Sequence, residues 1–287
     1  MDSAIQTFIK ELQQKKVLPQ ENVTFTSMSG TTASIVGILS CDNNALFVIK
    51  TEDRKQIEVT SAFLTAYKHV SILPDLYYVD PMQRYVIYTY IPDNHNYHPG
   101  AKTKLLHTLS THLFHFYQPC RSLYGWGWAD EPSSSWSDFL IKRITEAKPF
   151  VSGCVPDTDF EMVQKAAQDS SRLCGNADPY LLHGDCGIHN FLFDSQGDLQ
   201  GIIDPIPVLG PPIYDLTFAF CSSPDELVLD AIIPAAIHLY PARANDPAWL
   251  REEVLIALYC RLAACRKHHP QDLSHYLTAW SYWKSLV

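Results

Sequence analysis

The 287-residue chain has no apolar run long enough to span a bilayer, no C-x-x-C pair, no G-x-G-x-x-G, no internal repeat and no low-complexity tract. Each absence excludes something. Without about 20 consecutive apolar residues no helix is expected to cross a membrane. The cysteines, scattered at 41, 120, 154, 174, 186, 221, 260 and 265, fit neither a paired zinc motif nor a disulfide framework, and read as reduced thiols of a cytoplasmic protein. Positive charge is also scarce: 22 Lys and Arg stand against 31 Asp and Glu, a net −9. A nucleic-acid partner needs a basic face, so none is expected. The deficit is uneven, −1 through Pro92 and −8 beyond it. An acidic second part either attracts a cationic partner or simply solvates a surface. Asp157, Asp159, Glu161, Asp225, Glu226, Glu252 and Glu253 are the candidates to supply such an attraction.

What is present changes character near Pro92. Ile5, Phe8, Ile9 and Leu12 recur at helical spacing, so residues 3–16 read as an amphipathic helix. Strand-like runs follow at 23–28, 34–39, 45–50, 76–79 and 85–91, the pattern of a five-stranded antiparallel sheet. Between the first two, Ser29, Gly30 and Thr31 begin a turn whose N–H groups can approach phosphate, and a plain hairpin turn reads equally well. The last run breaks at Pro92, where backbone groups of Thr89 and Ile91 are candidates to meet a purine edge. Beyond it the pattern is helical. Leu105, Leu106, Leu109, Leu113 and Phe116 mark one buried face, and a second helix, capped by Ser133 or Ser135, turns Trp136, Phe139, Leu140 and Ile144 inward. A helix with Phe160, Val163 and Ala166 follows, and three more lie near 225–240, 248–267 and 272–285. His112 and His115 have no carboxylate companion and read as structural.

Between Leu181 and Phe220 the polar residues fall into order. His183-Gly184-Asp185 follows an apolar pair, Asn190 comes five residues after Asp185, and a short apolar run, a turn at 194–198 and a second apolar run deliver Asp204. Two short strands joined by that turn bring Asn190 and Asp204 together as hard oxygen ligands suited to Mg²⁺. Asp185 stands just outside, free to orient a hydroxyl.

HGD-x4-N, IDP and G-x-P-x-YDL together resemble the catalytic core of the aminoglycoside phosphotransferase family, small-molecule kinases of the protein-kinase-like superfamily. The resemblance implies Asp185 as catalytic base, Asn190 and Asp204 as metal ligands, and His183 and Asp215 as supports of the catalytic loop. Lys50, the last residue of a strand, and Glu58, on the following helix, would be the pair that holds the α- and β-phosphates. The sequence departs from the family pattern at Cys186-Gly187 and at Pro211.

The implied fold is α+β and bilobal: a small antiparallel-sheet lobe over 1–91 and a mainly helical lobe over 92–287, with the nucleotide in the cleft between. The implied reaction moves the γ-phosphoryl of ATP or GTP, with Mg²⁺, to a hydroxyl of a small, cationic acceptor of the aminoglycoside-antibiotic type, in a monomer or homodimer. A metabolite kinase for a fructosamine, choline or homoserine-like acceptor is the alternative, and a non-catalytic nucleotide-binding module the other. A protein kinase is disfavoured, because ten residues between Asp204 and Asp215 leave no room for an activation segment.

Overall fold

The computed structural model describes residues 2–20, 22–28, 35–42, 44–92, 95–121, 124–169, 178–243 and 246–286, so the turn begun by Ser29, Gly30 and Thr31 lies outside the described residues. The chain divides into two units, Met1–Asp93 and Asn94–Val287.

The first unit begins with α1 (Asp2–Gln14). Its i, i+4, i+7 stripe of Ile5, Ile9 and Leu12 is buried together with Leu39, Ile49, Tyr85 and Ile87 of a sheet. That sheet comprises β1 (Val23–Ser27), β2 (Val36–Cys41), β3 (Asn44–Thr51), β4 (Leu76–Val79) and β5 (Tyr85–Thr89). Its order is β1-β2-β3-β5-β4, with every neighbour antiparallel. Between β3 and β4 runs α2 (Arg54–Ala66), started by Asp53, whose carboxylate accepts a hydrogen bond from Gln56 N at 3.1 Å. Arg84 ties α1 to the turn before β5, reaching Glu11 at 2.8 Å and Asp80 at 2.7 Å.

In chain order the second unit holds α3 (Lys102–His112), β6 (Gly127–Trp128), α4 (Trp136–Val151), α5 (Asp157–Gln168), β7 (Tyr180–Leu182), β8 (Phe191–Phe193) and β9 (Leu199–Ile202). Then come β10 (Val208–Gly210), α6 (Ile213–Cys221), α7 (Leu229–Leu239), α8 (Pro247–His268) and α9 (Leu273–Ser285). The strands make two small antiparallel groups, β6-β10-β7 and the hairpin β8-β9. Of the two candidate caps of α4, Ser135 is the one used, its hydroxyl accepting from Asp138 N at 3.0 Å. Phe116 departs from expectation. The helix ends at His112 and the chain tightens into a 3₁₀ turn over Phe114–Phe116, which leaves Phe116 40% exposed and turns Tyr117 into the core. Among the described residues no helix is long and apolar enough to cross a membrane.

Lys102 fastens the start of α3 to the end of α6. Its ammonium is 1% exposed and donates to the carbonyls of Phe220 and Ser223, each at 2.9 Å, and to that of Asp225. The Asp225 carboxylate stands 3.7 Å away. Lys102→Met keeps the stem and strands these acceptors in the core, so it should cost roughly 3–5 kcal/mol of stability. Urea unfolding at neutral pH measures it; a loss below about 1 kcal/mol would show that the ammonium is not holding this joint.

Candidate functional site

The site is built around a buried carboxylate. Asp215, in the first turn of α6, is fully buried and accepts hydrogen bonds from Tyr117 Oη at 2.6 Å, His183 N at 2.9 Å and Gly184 N at 3.0 Å. The Cys186 thiol is a further donor. Burial pushes Asp215 up to about 6, against the pull of these donors. Gly184 has no substitute at its position: its φ is +83°, and a Cβ there would lie 1.9 Å from the carbonyl oxygen of Ile206.

His183 is the next support. Its Nδ1 accepts from Asp185 N at 3.3 Å and its Nε2 donates to Ile203 O at 3.1 Å, so the neutral Nε2–H tautomer satisfies both ring atoms. Burial pushes the ring down to about 4, which keeps that form at neutral pH. The same histidine's carbonyl accepts from Ile206 N at 3.0 Å, and Ile203 N donates to Asn190 O at 2.9 Å. The residue between these fixed points, Asp204, has φ +63°, a left-handed conformation that a non-glycine residue holds only when its surroundings dictate it.

The hairpin register, Phe191 opposite Ile202, puts Asn190 and Asp204 at the same end of β8 and β9. Asn190 Nδ2 donates to both the carbonyl and Oδ2 of Asp185, each at 2.9 Å. This fixes the amide with its nitrogen toward Asp185, leaving Oδ1 as the atom for another partner. A divalent magnesium ion fits that donor set: Mg²⁺ takes one or two protein oxygens of this hard type and completes its shell with water and phosphate. Asp185 also meets the His189 ring at 3.3 Å. Burial works against its charge, yet His189 and Asn190 outweigh it and the carboxyl is held below its ordinary value.

In the first unit, Lys50 is buried, 7% exposed. Its neighbouring carboxylate is Glu52, at 3.2 Å, and the expected pairing with Glu58 is corrected here. The phase of α2 is the reason: the helix buries Gln56, Ile57, Val59, Thr60, Phe63 and Leu64 and leaves Glu58 exposed. Thr89 donates its N–H to Asp75 O and accepts from Asp75 N at its hydroxyl, both at 2.9 Å. Ile91, past the end of β5, makes no backbone hydrogen bond to another described residue.

A cavity of about 220 Å³ opens beside Asp185 in the second unit, walled by Trp128, Trp136, Tyr214 and Phe218 with Arg143, Arg261 and Glu253. Of the seven acidic residues considered for a cationic site, only Glu253 lines it. Asp159 is spent on Trp280 Nε1 at 2.7 Å and Lys284 at 2.6 Å, and Asp225 accepts from Tyr97 Oη at 2.9 Å and Gly100 N at 3.1 Å. Neither Tyr117 nor Arg143 is marked by its sequence neighbours, since the partner of the first is distant and the neighbours of the second are ordinary helix residues, and Cys186 stands out in sequence only as a departure from the family pattern.

The topology is that of the kinase-like α+β fold. Choline kinase LicA from Streptococcus pneumoniae is similar with a TM-score of 0.59 and 14% identity, over 97% of this chain and 100% of that one. A thermostable variant of aminoglycoside phosphotransferase APH(4)-Ia, in ternary complex with AMP-PNP and hygromycin B, is similar at 0.62 and 14%, over 94% and 97%. The GDP complex of aminoglycoside 2'-phosphotransferase-IIIa follows at 0.59 and 13%, over 98% of each. At these identities the likeness establishes the fold. No curated protein matches the chain. Residues 136–255, which include Asp185, Asn190, Asp204 and Asp215, match the model of the phosphotransferase enzyme family, APH. That match covers the stretch on which the sequence resembles the same family.

The two buried titrating groups have opposite pH signatures. Asp215, held up at about 6, keeps its proton more readily when folded, so its contribution to stability weakens as pH rises toward 6. His183, held down at about 4, takes a proton less readily when folded, so stability is lost as pH falls from 6.5 toward 4. Asp215→Asn removes the first and leaves the second. Its urea midpoint should therefore fall more steeply than that of the unsubstituted protein as pH drops through this window, and parallel slopes would refute the assignment.

Proposed function

We propose that the chain transfers the γ-phosphoryl group of ATP or GTP to a hydroxyl of a small-molecule acceptor seated in the cavity beside Asp185. The observation that carries this reading is one carboxylate, ionised at neutral pH, that both lines the cavity and is clamped to Asn190. Asp185 accepts the acceptor's hydroxyl proton as the new O–P bond forms and the bond to the β-phosphate oxygen breaks. Asn190 Oδ1 and Asp204 would hold Mg²⁺, which neutralises charge on the phosphates when bound. Lys50 contacts the α- and β-phosphates, with Glu52 in place of Glu58 to steady it. The phosphate-covering role expected of Ser29, Gly30 and Thr31 falls outside the described residues, while Ile91 would offer the open backbone for a purine edge, Thr89 serving the strand end.

The cavity's volume of about 220 Å³ is below the roughly 300–1,000 Å³ of drug-sized sites, which favours a small acceptor or a single ring over an engulfed multi-ring antibiotic. A cytoplasmic setting suits the described cysteines, all of which are free.

Asp185→Asn should keep the shape of the loop and lose about 10²-fold or more in kcat with little change in nucleotide affinity. Near-normal turnover would rule out the base. Asp204→Ala should instead weaken Mg·nucleotide binding itself, read by titration calorimetry, and unchanged affinity would rule out the metal role.

A further inference from the structure

One guanidinium lining the cavity, that of Arg143, makes no salt bridge to a described residue. On α4, Trp136, Leu140 and Arg143 lie at i, i+4 and i+7, and all three line the cavity. The Arg143 guanidinium sits over the Trp128 ring, 5.1 Å from its centroid, and donates to the Cys260 thiol. Among the described residues no carboxylate makes a salt bridge with it; Tyr214 and, one helical turn on, Glu146 act on it only through their charge. The cavity's other guanidinium is already used: Arg261 donates to Tyr276 Oη at 3.0 Å and Ser222 O at 2.9 Å. Two further donors of the same wall are unmatched, since Tyr214 Oη and Trp136 Nε1 are buried with no hydrogen-bond partner. A guanidinium carries five N–H groups, and burying it without an oxygen partner is costly. Donors left unmet in a ligand cavity are donors that a ligand can meet.

We infer that the acceptor carries a carboxylate, bound by Arg143 with Tyr214 or Trp136, on the same small molecule whose hydroxyl meets Asp185. A phosphate monoester is disfavoured, because a dianion would share a cavity of this size with the carboxylates of Asp185 and Glu253. A polyamine is disfavoured because Arg143 would repel it. The inference rests on the phosphoryl-transfer reading for the role of the hydroxyl and on the cavity alone for the carboxylate.

The test begins with the unsubstituted protein. Lactate, glycerate, homoserine and hydroxybenzoate are titrated calorimetrically, each against its own carboxamide, with spermidine and inorganic phosphate as further arms. At least one carboxylate should bind more than about tenfold tighter than its amide, as a charge-assisted pair to Arg143 requires. Arg143→Gln should abolish that difference and Arg143→Lys restore part of it, with Mg·nucleotide affinity unchanged in both. Equal binding of acid and amide, tighter binding of spermidine or of phosphate than of any carboxylate, or no binding by the carboxylate set would overturn the inference. Nucleotide consumption is then followed separately. A carboxylate preference with no turnover would leave the carboxylate site standing and sink the kinase reading; turnover of only neutral or polyamine acceptors would do the reverse.

Discussion

The candidate catalytic loop depends on one buried charge. A carboxylate removed from water is expensive unless donors surround it, and Asp215 meets that condition with donors from two segments far apart in the chain, Tyr117 and the His183-Gly184 peptide groups. Its place in the first turn of α6 adds the favourable end of a helix dipole. Burial still raises the pKa, so the donors do not fully compensate. The protein accepts that residual cost and gains a turn whose backbone direction is set by a hydrogen-bonded ion.

The same constraint passes from residue to residue. His183 N is held by Asp215, the His183 ring bonds Asp185 N and Ile203 O, Ile203 N bonds Asn190 O, and Asn190 Nδ2 returns to the Asp185 carboxylate. The circuit closes. Every candidate ligand of the site is thereby attached at its backbone, its side chain or both, and the left-handed Asp204 is the point where fixed neighbours on either side leave the chain no other path. Groups fixed in this way need little reorganisation when charge is brought to them, which is where positional catalysis draws its advantage.

This part of the site was legible in the sequence because its geometry is local. Asp185, Asn190 and Asp204 are joined by a 3₁₀ turn and a two-stranded hairpin, whose apolar alternation and turn residues carry their own signature. The five strands of the first unit and most helices were legible for the same reason. Tyr117 was not, because it meets Asp215 across 98 residues of chain. Phe116 and Glu58 failed through phase. A helix that ends one turn early, or a helix start fixed by a cap at Asp53, rotates each residue by enough to exchange buried for exposed. Arg143 failed for a different reason, since an arginine at i+7 from a core tryptophan looks like an ordinary solvated position until the facing α8 is known to leave a cavity there.

Net charge is a poor guide to what lines the cavity, and the reason is general. A surplus of carboxylates describes a long-range field that salt weakens within roughly 10 Å, whereas recognition is decided by the few groups that a ligand touches after water has left. Here the acidic candidates divide into those spent internally, such as Asp159 on Lys284 and Asp225 beside Lys102, and those set away from the cavity, with Glu253 the one that lines it. Two guanidiniums, Arg143 and Arg261, and two carboxylates, Asp185 and Glu253, line the cavity, so the local charge is balanced even though the unit as a whole is acidic. A balanced, aromatic-walled site selects by the placement of each charge, and the placement that remains unanswered is the guanidinium on α4.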